Sequence, residues 1–458
     1  MAHSALTIRG FSYAYPGAGD PVLKNIHMDV PPGECHCIIG PTGAGKSTLL
    51  LAVKGLLPKG TQSGEISSHT MAASARSNIG IVLQNPETQL LGTSVGSEVA
   101  FGLENLCVPP FEMKKRVKKA LLAVGLNKPL DVPVSSLSMG QKYRLIMASV
   151  IVMAPSVLLL DEPGAQLDEN GIEKLKKIIF PLKTAGVSIL LCEHHPHYFS
   201  DLIDAHWEIN NRKSLNKITA DKLKKPPDVD LSVKRPSLKR PEKIIAVKHF
   251  APPGSYTEPF RTTATFSVYS GQRMGIYGEN GAGKTTLLRC LTGFIPPLRG
   301  DIKLFGMPPS PKRLRGTLGC LFQNPQKQLF ENTVFDEIAF PLKRLGVGTI
   351  AIKKKVSDFI DRMEIAALAP VSPHKLSFGQ KHLVVLASIL IFEPRLLILD
   401  DPFAGLDHRW RKKIRDLLYD VCESLHTALV WTGHRHDELL QWADMILDIK
   451  GGEIAVRT

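Results

Sequence analysis

Gly40-Pro41-Thr42-Gly43-Ala44-Gly45-Lys46-Ser47 fits the pattern G-x-x-x-x-G-K-[ST], and Gly278-Glu279-Asn280-Gly281-Ala282-Gly283-Lys284-Thr285 fits it again. Each follows a short apolar run, Cys35–Ile39 or Met274–Tyr277, and opens a helical stretch, Lys46–Lys54 or Lys284–Leu291. Glycines at these spacings let successive backbone N–H groups turn inward around phosphate oxygens, and the helix behind adds its positive end. Lys46 and Lys284 would reach the β- and γ-phosphates of a nucleotide, while Ser47 and Thr285 would each place a hydroxyl on Mg2+. Thr48 and Thr286, the next residues, complete the expected nucleotide-binding set.

Working outward, the second half repeats the first. The separation is 238 residues from Lys46 to Lys284, 239 for Gln84/Gln323, Ser138/Ser377, Asp161/Asp400 and Asp168/Asp407, and 240 for His194/His434. A register held this closely across the chain identifies two copies of one domain rather than a short-period solenoid. Short apolar runs alternate with helical stretches in each copy. Val157–Leu160 and Leu396–Leu399 are unbroken apolar runs, as strands buried on both faces should be. The pattern predicts α/β domains with mostly parallel sheets. The expected boundaries are domain 1 over 1–210, a linker over 211–243 and domain 2 over 244–458.

The chain has 458 residues, 43% of them hydrophobic, which is enough for more than one full core. Its net charge of +14 leaves nucleic acid, an anionic membrane surface and simple solvation open as explanations. Half of that excess lies in the linker, where eleven Lys/Arg face four Asp/Glu and four prolines forbid a continuous helix. The linker reads as a solvated tether, with attraction to anionic lipid headgroups as the alternative. Seven scattered cysteines without a C-x-x-C pair argue against a disulfide framework and fit a reducing compartment; Cys35 and Cys37 read as buried strand positions. No run approaches the ~20 apolar residues needed to span a bilayer, and the N-terminal MAHSALTIRG has no apolar signal core. Any membrane passage would have to come from another chain.

Further motifs follow each loop in the same order. A Gln closes a strand in Gly80-Ile81-Val82-Leu83-Gln84-Asn85-Pro86 and in Gly319-Cys320-Leu321-Phe322-Gln323-Asn324-Pro325, which points to a sensor of γ-phosphate, metal or water. Then come Leu137-Ser138-Met139-Gly140-Gln141 and Leu376-Ser377-Phe378-Gly379-Gln380. With these the sequence resembles the ABC-type ATPases, whose signature runs L-S-G-G-Q. The resemblance covers nearly all of the chain outside the linker. It implies tandem P-loop NTPase domains of ABC type, each with a helical subdomain carrying the signature. Asp161 and Asp400 then look like Walker B aspartates holding the Mg2+ shell, with Gln84 and Gln323 beside them. Glu162 and Asp401 match the residue that polarises the attacking water, Asp168 and Asp407 the D-loops, and His194 and His434 the switch histidines. His194 also lies in His194-His195-Pro196-His197, which invites a metal-site reading, but its strand-end position in both copies favours the switch. Tyr15 is the expected adenine-stacking residue of copy one; Phe250 and Tyr256 compete for that role in copy two.

The resemblance further implies head-to-tail packing, with each ATP between the loop of one domain and the signature of the other. Site one would use Lys46, Ser47, Gln84, Asp161, Glu162 and His194, closed by Ser377, Gly379 and Gln380. Site two would use Lys284, Thr285, Gln323, Asp400, Asp401 and His434, closed by Ser138, Gly140 and Gln141. Met139 and Phe378 replace the first signature glycine, and Asp401 stands where copy one has Glu162. The shorter carboxylate makes site one the expected faster site. The stretch Q-N-P-x-x-Q-L, followed by an acidic residue and A-F in both copies, looks like the ATPases of energy-coupling-factor importers of vitamins or transition-metal ions. Partners of that kind would be a transmembrane coupling protein and a separate substrate-capture subunit, with this chain peripheral on the cytoplasmic face. Glu98 and Glu337 would pair with arginines of the coupling protein, or serve as helix N-terminal charges. The alternative is a soluble twin-ATPase translation factor, against which the proline-broken linker argues; nucleic acid is not the expected partner.

Overall fold

The computed structural model describes residues 4–457 apart from 18, 42, 69–77, 165–166, 168, 195, 211–212, 220–240, 252, 254–261, 405, 407 and 434–441. The chain divides into two compact units, Met1–Pro227 and Asp228–Thr458.

The first unit holds β1 (Leu6–Ala14), β2 (Leu23–Val30), β3 (Cys35–Ile39), α1 (Lys46–Lys54), β4 (Thr61–Ser68), β5 (Ile79–Val82), α2 (Val95–Asn105), α3 (Pro110–Ala123), α4 (Met139–Ile151), β6 (Val157–Asp161), α5 (Glu169–Thr184), β7 (Ser188–Cys192), β8 (Ala205–Ile209) and β9 (Leu215–Ile218). The second repeats the order with β10 (Lys243–Ala251), β11 (Ala264–Tyr269), β12 (Arg273–Gly278), α6 (Lys284–Leu291), β13 (Arg299–Leu304), β14 (Leu318–Leu321), α7 (Val334–Arg344), α8 (Thr349–Arg362), α9 (Phe378–Leu390), β15 (Leu396–Leu399), α10 (His408–Leu425), β16 (Ala428–Gly433), β17 (Met445–Lys450) and β18 (Glu453–Arg457).

Each unit contains a six-stranded sheet, ordered β5-β6-β7-β3-β8-β9 or β14-β15-β16-β12-β17-β18, and a three-stranded antiparallel sheet, β2-β1-β4 or β11-β10-β13. The large sheets are parallel except for their last strands, β9 and β18. Strand β9 draws its residues from the segment read as linker, and β10 begins at that segment's last residue.

The unbroken apolar strands have a direct cause. Leu158 and Leu160 face the core shared with the helices, whereas Val157 and Leu159 face the core shared with the antiparallel sheet. Leu397 and Leu399 divide from Leu396 and Ile398 in the same way. A strand sandwiched between two cores has no polar face to display. Cys35 and Cys37 are buried on β3, as their alternation with His36 predicts. The His36 ring is buried between Glu34 Oε2 at 2.8 Å and the Trp207 indole N–H at 3.2 Å.

Candidate functional site

The two phosphate loops have one construction. Gly45 and Gly283 precede α1 and α6 with φ of 102° and 98°, a region that strains any residue with a side chain. A Cβ on Gly45 would also lie 2.9 Å from Leu23 Cδ2. Inside each loop the lysine ammonium donates to backbone carbonyls. For Lys46 these are Gly40 at 2.9 Å and Pro41 at 3.3 Å; for Lys284 they are Gly278 at 2.6 Å and Glu279 at 3.1 Å. Ala44 and Ala282 close the turn with N–H bonds to Pro41 and Glu279. Thr42 lies outside the described residues.

In the first unit the strand order assembles the remaining groups. Gln84, Glu162, His194 and Lys46 follow β5, β6, β7 and β3, four neighbours in the sheet. They therefore meet at its carboxyl edge, where open α/β sheets bind ligands. Glu162 Oε2 accepts from Gln84 Nε2 at 2.7 Å, and its Oε1 lies 2.8 Å from His194 Nε2 and 3.7 Å from Lys46 Nζ. Lys46 Nζ is 3.4 Å from His194 Nε2. One carboxylate thus holds an amide and an imidazole on opposite oxygens, next to the phosphate-loop ammonium. Glu162 takes a φ of 48° and Asp401 a φ of 52°, so the chain turns sharply after both Walker B strands. His434, Asp168, Asp407 and the His195 position lie outside the described residues, as does Tyr256.

Asp161 and Asp400 differ. Asp161 is buried, and burial pushes its carboxyl up to about 6, against a lowering hydrogen bond from Ser47. Its Oδ1 has no hydrogen-bond partner among the described residues. Asp400 is also buried and also raised by desolvation, but both its oxygens are served. Thr432 Oγ1 donates to Oδ1 at 2.7 Å and Thr285 Oγ1 to Oδ2 at 2.9 Å. A buried carboxylate beside a hydroxyl at the head of the phosphate-loop helix suits a hard, oxygen-binding dication such as Mg2+. In site one the unpartnered oxygen is an added reason for a positive charge to be held there.

Ser138 and Ser377 act locally as helix caps. Each accepts from the backbone N–H of Gln141 or Gln380, whose side-chain oxygen accepts in return from the serine N–H at 3.0 and 2.9 Å. A Cβ on Gly379 would overlap the Trp410 ring at 2.7 Å, whereas Gly140 has open space. Phe378 packs on the helical core of its unit. Tyr15 is partly exposed, with its hydroxyl 3.0 Å from Thr48 Oγ1 and its ring edge-on to Tyr13. Phe250 is fully buried, so it has no face to offer an adenine.

Of the two readings of Glu98 and Glu337, the geometry shows the helix N-terminal one: both are buried in the first turn of a helix and each gives one oxygen to backbone N–H groups. Glu98 Oε2 accepts from Leu91 N and Gly92 N, and Glu337 Oε2 from Phe330 N and Glu331 N. A carboxylate held this way staples the preceding loop to the helix N-terminus. The Q-N-P-x-x-Q run has a similar local purpose. Gln89 accepts from Leu83 N and donates to Ile81 O, and Gln328 does the same with Phe322 N and Cys320 O. The second glutamine of the motif bonds backbone groups on the open side of an edge strand, just before Gln84 and Gln323.

Two residues escaped the sequence reading. Buried Glu193 accepts from Gly164 N at 2.6 Å and His194 N at 3.1 Å, tying the turn after β6 to the end of β7. Thr432 bridges Asp400 and the Asp401 amide. The signal for both lay in the repeat: the residues before the switch histidines are Cys192-Glu193 in one copy and Thr432-Gly433 in the other.

The chain is similar to known proteins of one family. The family description "ABC transporter" matches residues 23–165 and again 262–404. A putative ABC transporter ATP-binding protein of Methanosarcina mazei is 30% identical over 98% of this chain and 88% of its own length. A putative HMP/thiamine import ATP-binding protein of Bacillus subtilis, YkoD, is 28% identical over 96% of this chain and 89% of its own. Among solved structures, cbiO1 from Clostridium perfringens, described as part of the ABC transporter complex cbiONQ, is 30% identical with a TM-score of 0.43, covering 47% of this chain and 87% of that one. Among the described residues no helix is long and apolar enough to cross a membrane.

Proposed function

The chain belongs to the ABC transporter family as an ATP-hydrolysing subunit, and on that premise we propose that it powers an importer of the energy-coupling-factor type through two unequal ATP sites. The observation that carries the catalytic reading is the junction of Gln84, Glu162, His194 and Lys46 at the edge of the first sheet. Each phosphate loop takes one ATP. Lys46 or Lys284 neutralises the terminal phosphates, and the loop's backbone N–H groups hold them. Ser47 with Asp161, and Thr285 with Asp400, would hold Mg2+, which would supply charge neutralisation at the phosphates. Glu162 orients the attacking water for in-line displacement at the γ-phosphorus, steadied by Gln84 and His194. Most of the rate gain of such a site is positioning and electrostatic stabilisation.

Asp401 is one methylene shorter than Glu162, and a misplacement of ~1 Å can cost on the order of a hundredfold in rate. Site one is therefore the faster. Glu162→Gln abolishes most of the ATPase activity of the purified chain, and Asp401→Asn removes a small part of it. Equal loss from the two variants refutes the inequality.

The importer assignment is supported by the Q-N-P-x-x-Q-L run in both copies and by the import ATP-binding relative. The cargo class is a vitamin or a transition-metal ion. The chain works on the cytoplasmic face of a transmembrane coupling protein, which a separate subunit supplies with substrate. Affinity purification from detergent-solubilised native membranes recovers a polytopic membrane protein. Recovery with ribosomes and no membrane protein overturns the assignment.

A further inference from the structure

The residue two places before each switch histidine sits beside the Walker B aspartate, and it differs between the copies. In the first unit Cys192 pairs with Asp161 across the β6–β7 ladder. In the second, Trp431 pairs with Leu399, which puts Thr432 beside Asp400. The consequences run through five hydrogen bonds. Glu162 N donates to the Cys192 carbonyl at 2.9 Å, the ordinary ladder bond. Asp401 N donates instead to Thr432 Oγ1 at 2.8 Å, and the same hydroxyl donates to Asp400 Oδ1 at 2.7 Å. Thr285, the phosphate-loop hydroxyl, takes the other oxygen, Oδ2. In the first unit Ser47 bonds Asp161 and Oδ1 is unpartnered among the described residues, so Ser47 must take Oδ2. Both aspartates thus give one oxygen to the phosphate-loop hydroxyl, and Asp400 gives the other to a hydroxyl of the neighbouring strand. Only the second copy has a donor waiting on that strand.

We propose that Thr432 is a positioning residue that fixes the Asp400 carboxylate from behind, so that the second site holds its divalent cation more tightly than the first, where Cys192 gives Asp161 no such support. Outer partners that orient a ligating carboxylate typically contribute 10–100-fold in metal affinity. A Cys sulfhydryl is a weak donor by comparison with a hydroxyl. The proposed role of Thr432 rests on the assignment of the loops as Mg2+–ATP sites but not on transport, nor on the Glu162/Asp401 rate difference.

The test is Mn2+ binding to the full chain, titrated by electron paramagnetic resonance with a non-hydrolysable ATP analogue at saturation. A Lys46→Ala background isolates the second site. There, Thr432→Val weakens Mn2+ about tenfold or more, and Thr432→Ser, which restores the hydroxyl, recovers most of it. In a Lys284→Ala background, Cys192→Thr tightens Mn2+ at the first site. The proposal is overturned if Thr432→Val leaves Mn2+ affinity within about twofold of its parent, or if Thr432→Ser is as weak as Thr432→Val while the far-ultraviolet circular dichroism is unchanged. The ATPase comparison of Glu162→Gln with Asp401→Asn can fail without touching this result, because no hydrolysis is measured.

Discussion

Replacing Asp161 by Asn should stabilise the metal-free protein at neutral pH. The reasoning starts from burial: the Asp161 carboxyl is desolvated, its Oδ1 lacks a partner among the described residues, and its titration is pushed from 3.8 up to about 6. The sign follows from linkage. Between those values the folded chain binds the proton that the unfolded chain has lost, so stability falls as pH rises through about 6 and is fully restored only below the unfolded value. The displacement corresponds to about 3 kcal/mol at pH 7.5, as an upper figure. For a domain of roughly 200 residues each kcal/mol moves the melting temperature by about 2–4 °C, giving a rise of up to roughly 6–12 °C. Asn keeps the shape and removes the charge. The assay is differential scanning calorimetry of the full chain in EDTA at pH 8, 7, 6 and 5. The gap between Asp161→Asn and wild type is largest at pH 8 and shrinks toward pH 5 as Asp161 itself takes up a proton. Adding Mg2+ with a non-hydrolysable ATP analogue reverses the order, because only the carboxylate then gains a cation. A variant that melts at or below wild type at pH 8 in EDTA, or a gap that does not close with falling pH, refutes the reasoning.

Two further outcomes are expected. Glu98→Ala leaves the Leu91 and Gly92 N–H groups without their acceptor and costs about 1–3 kcal/mol in denaturant unfolding. Tyr15→Ala raises the KM for ATP with little change in kcat, while Tyr15→Phe keeps the aromatic face and stays near wild type, which steady-state ATPase kinetics will read.

Local sequence carried much of the site because its parts are local. A glycine spacing followed by Lys46-Ser47 or Lys284-Thr285 dictates a phosphate loop wherever it folds, since the backbone turns and the helix start are properties of those eight residues. The repeat was legible for the same reason, and the apolar runs of β6 and β15 announced strands with a core on either side. Glu98 and Glu337 kept two readings because a helix-start glutamate looks the same in sequence whether it faces solvent or bends back on the loop before it. Burial decides between those, and burial is set by the packing around it. Phe250 was likewise ambiguous until β10 placed it wholly inside.

What tertiary structure alone decided is which separately recognised residues meet and how the two copies differ where they meet. Gln84, Glu162 and His194 are scattered over more than a hundred positions, and only the strand order β5-β6-β7-β3 sets them beside Lys46. The contrast between Cys192 and Thr432 was visible in the sequence as one letter against another. It became chemistry only when strand register placed each against a buried aspartate, where a hydroxyl present or absent changes the solvation of a charge that water does not reach.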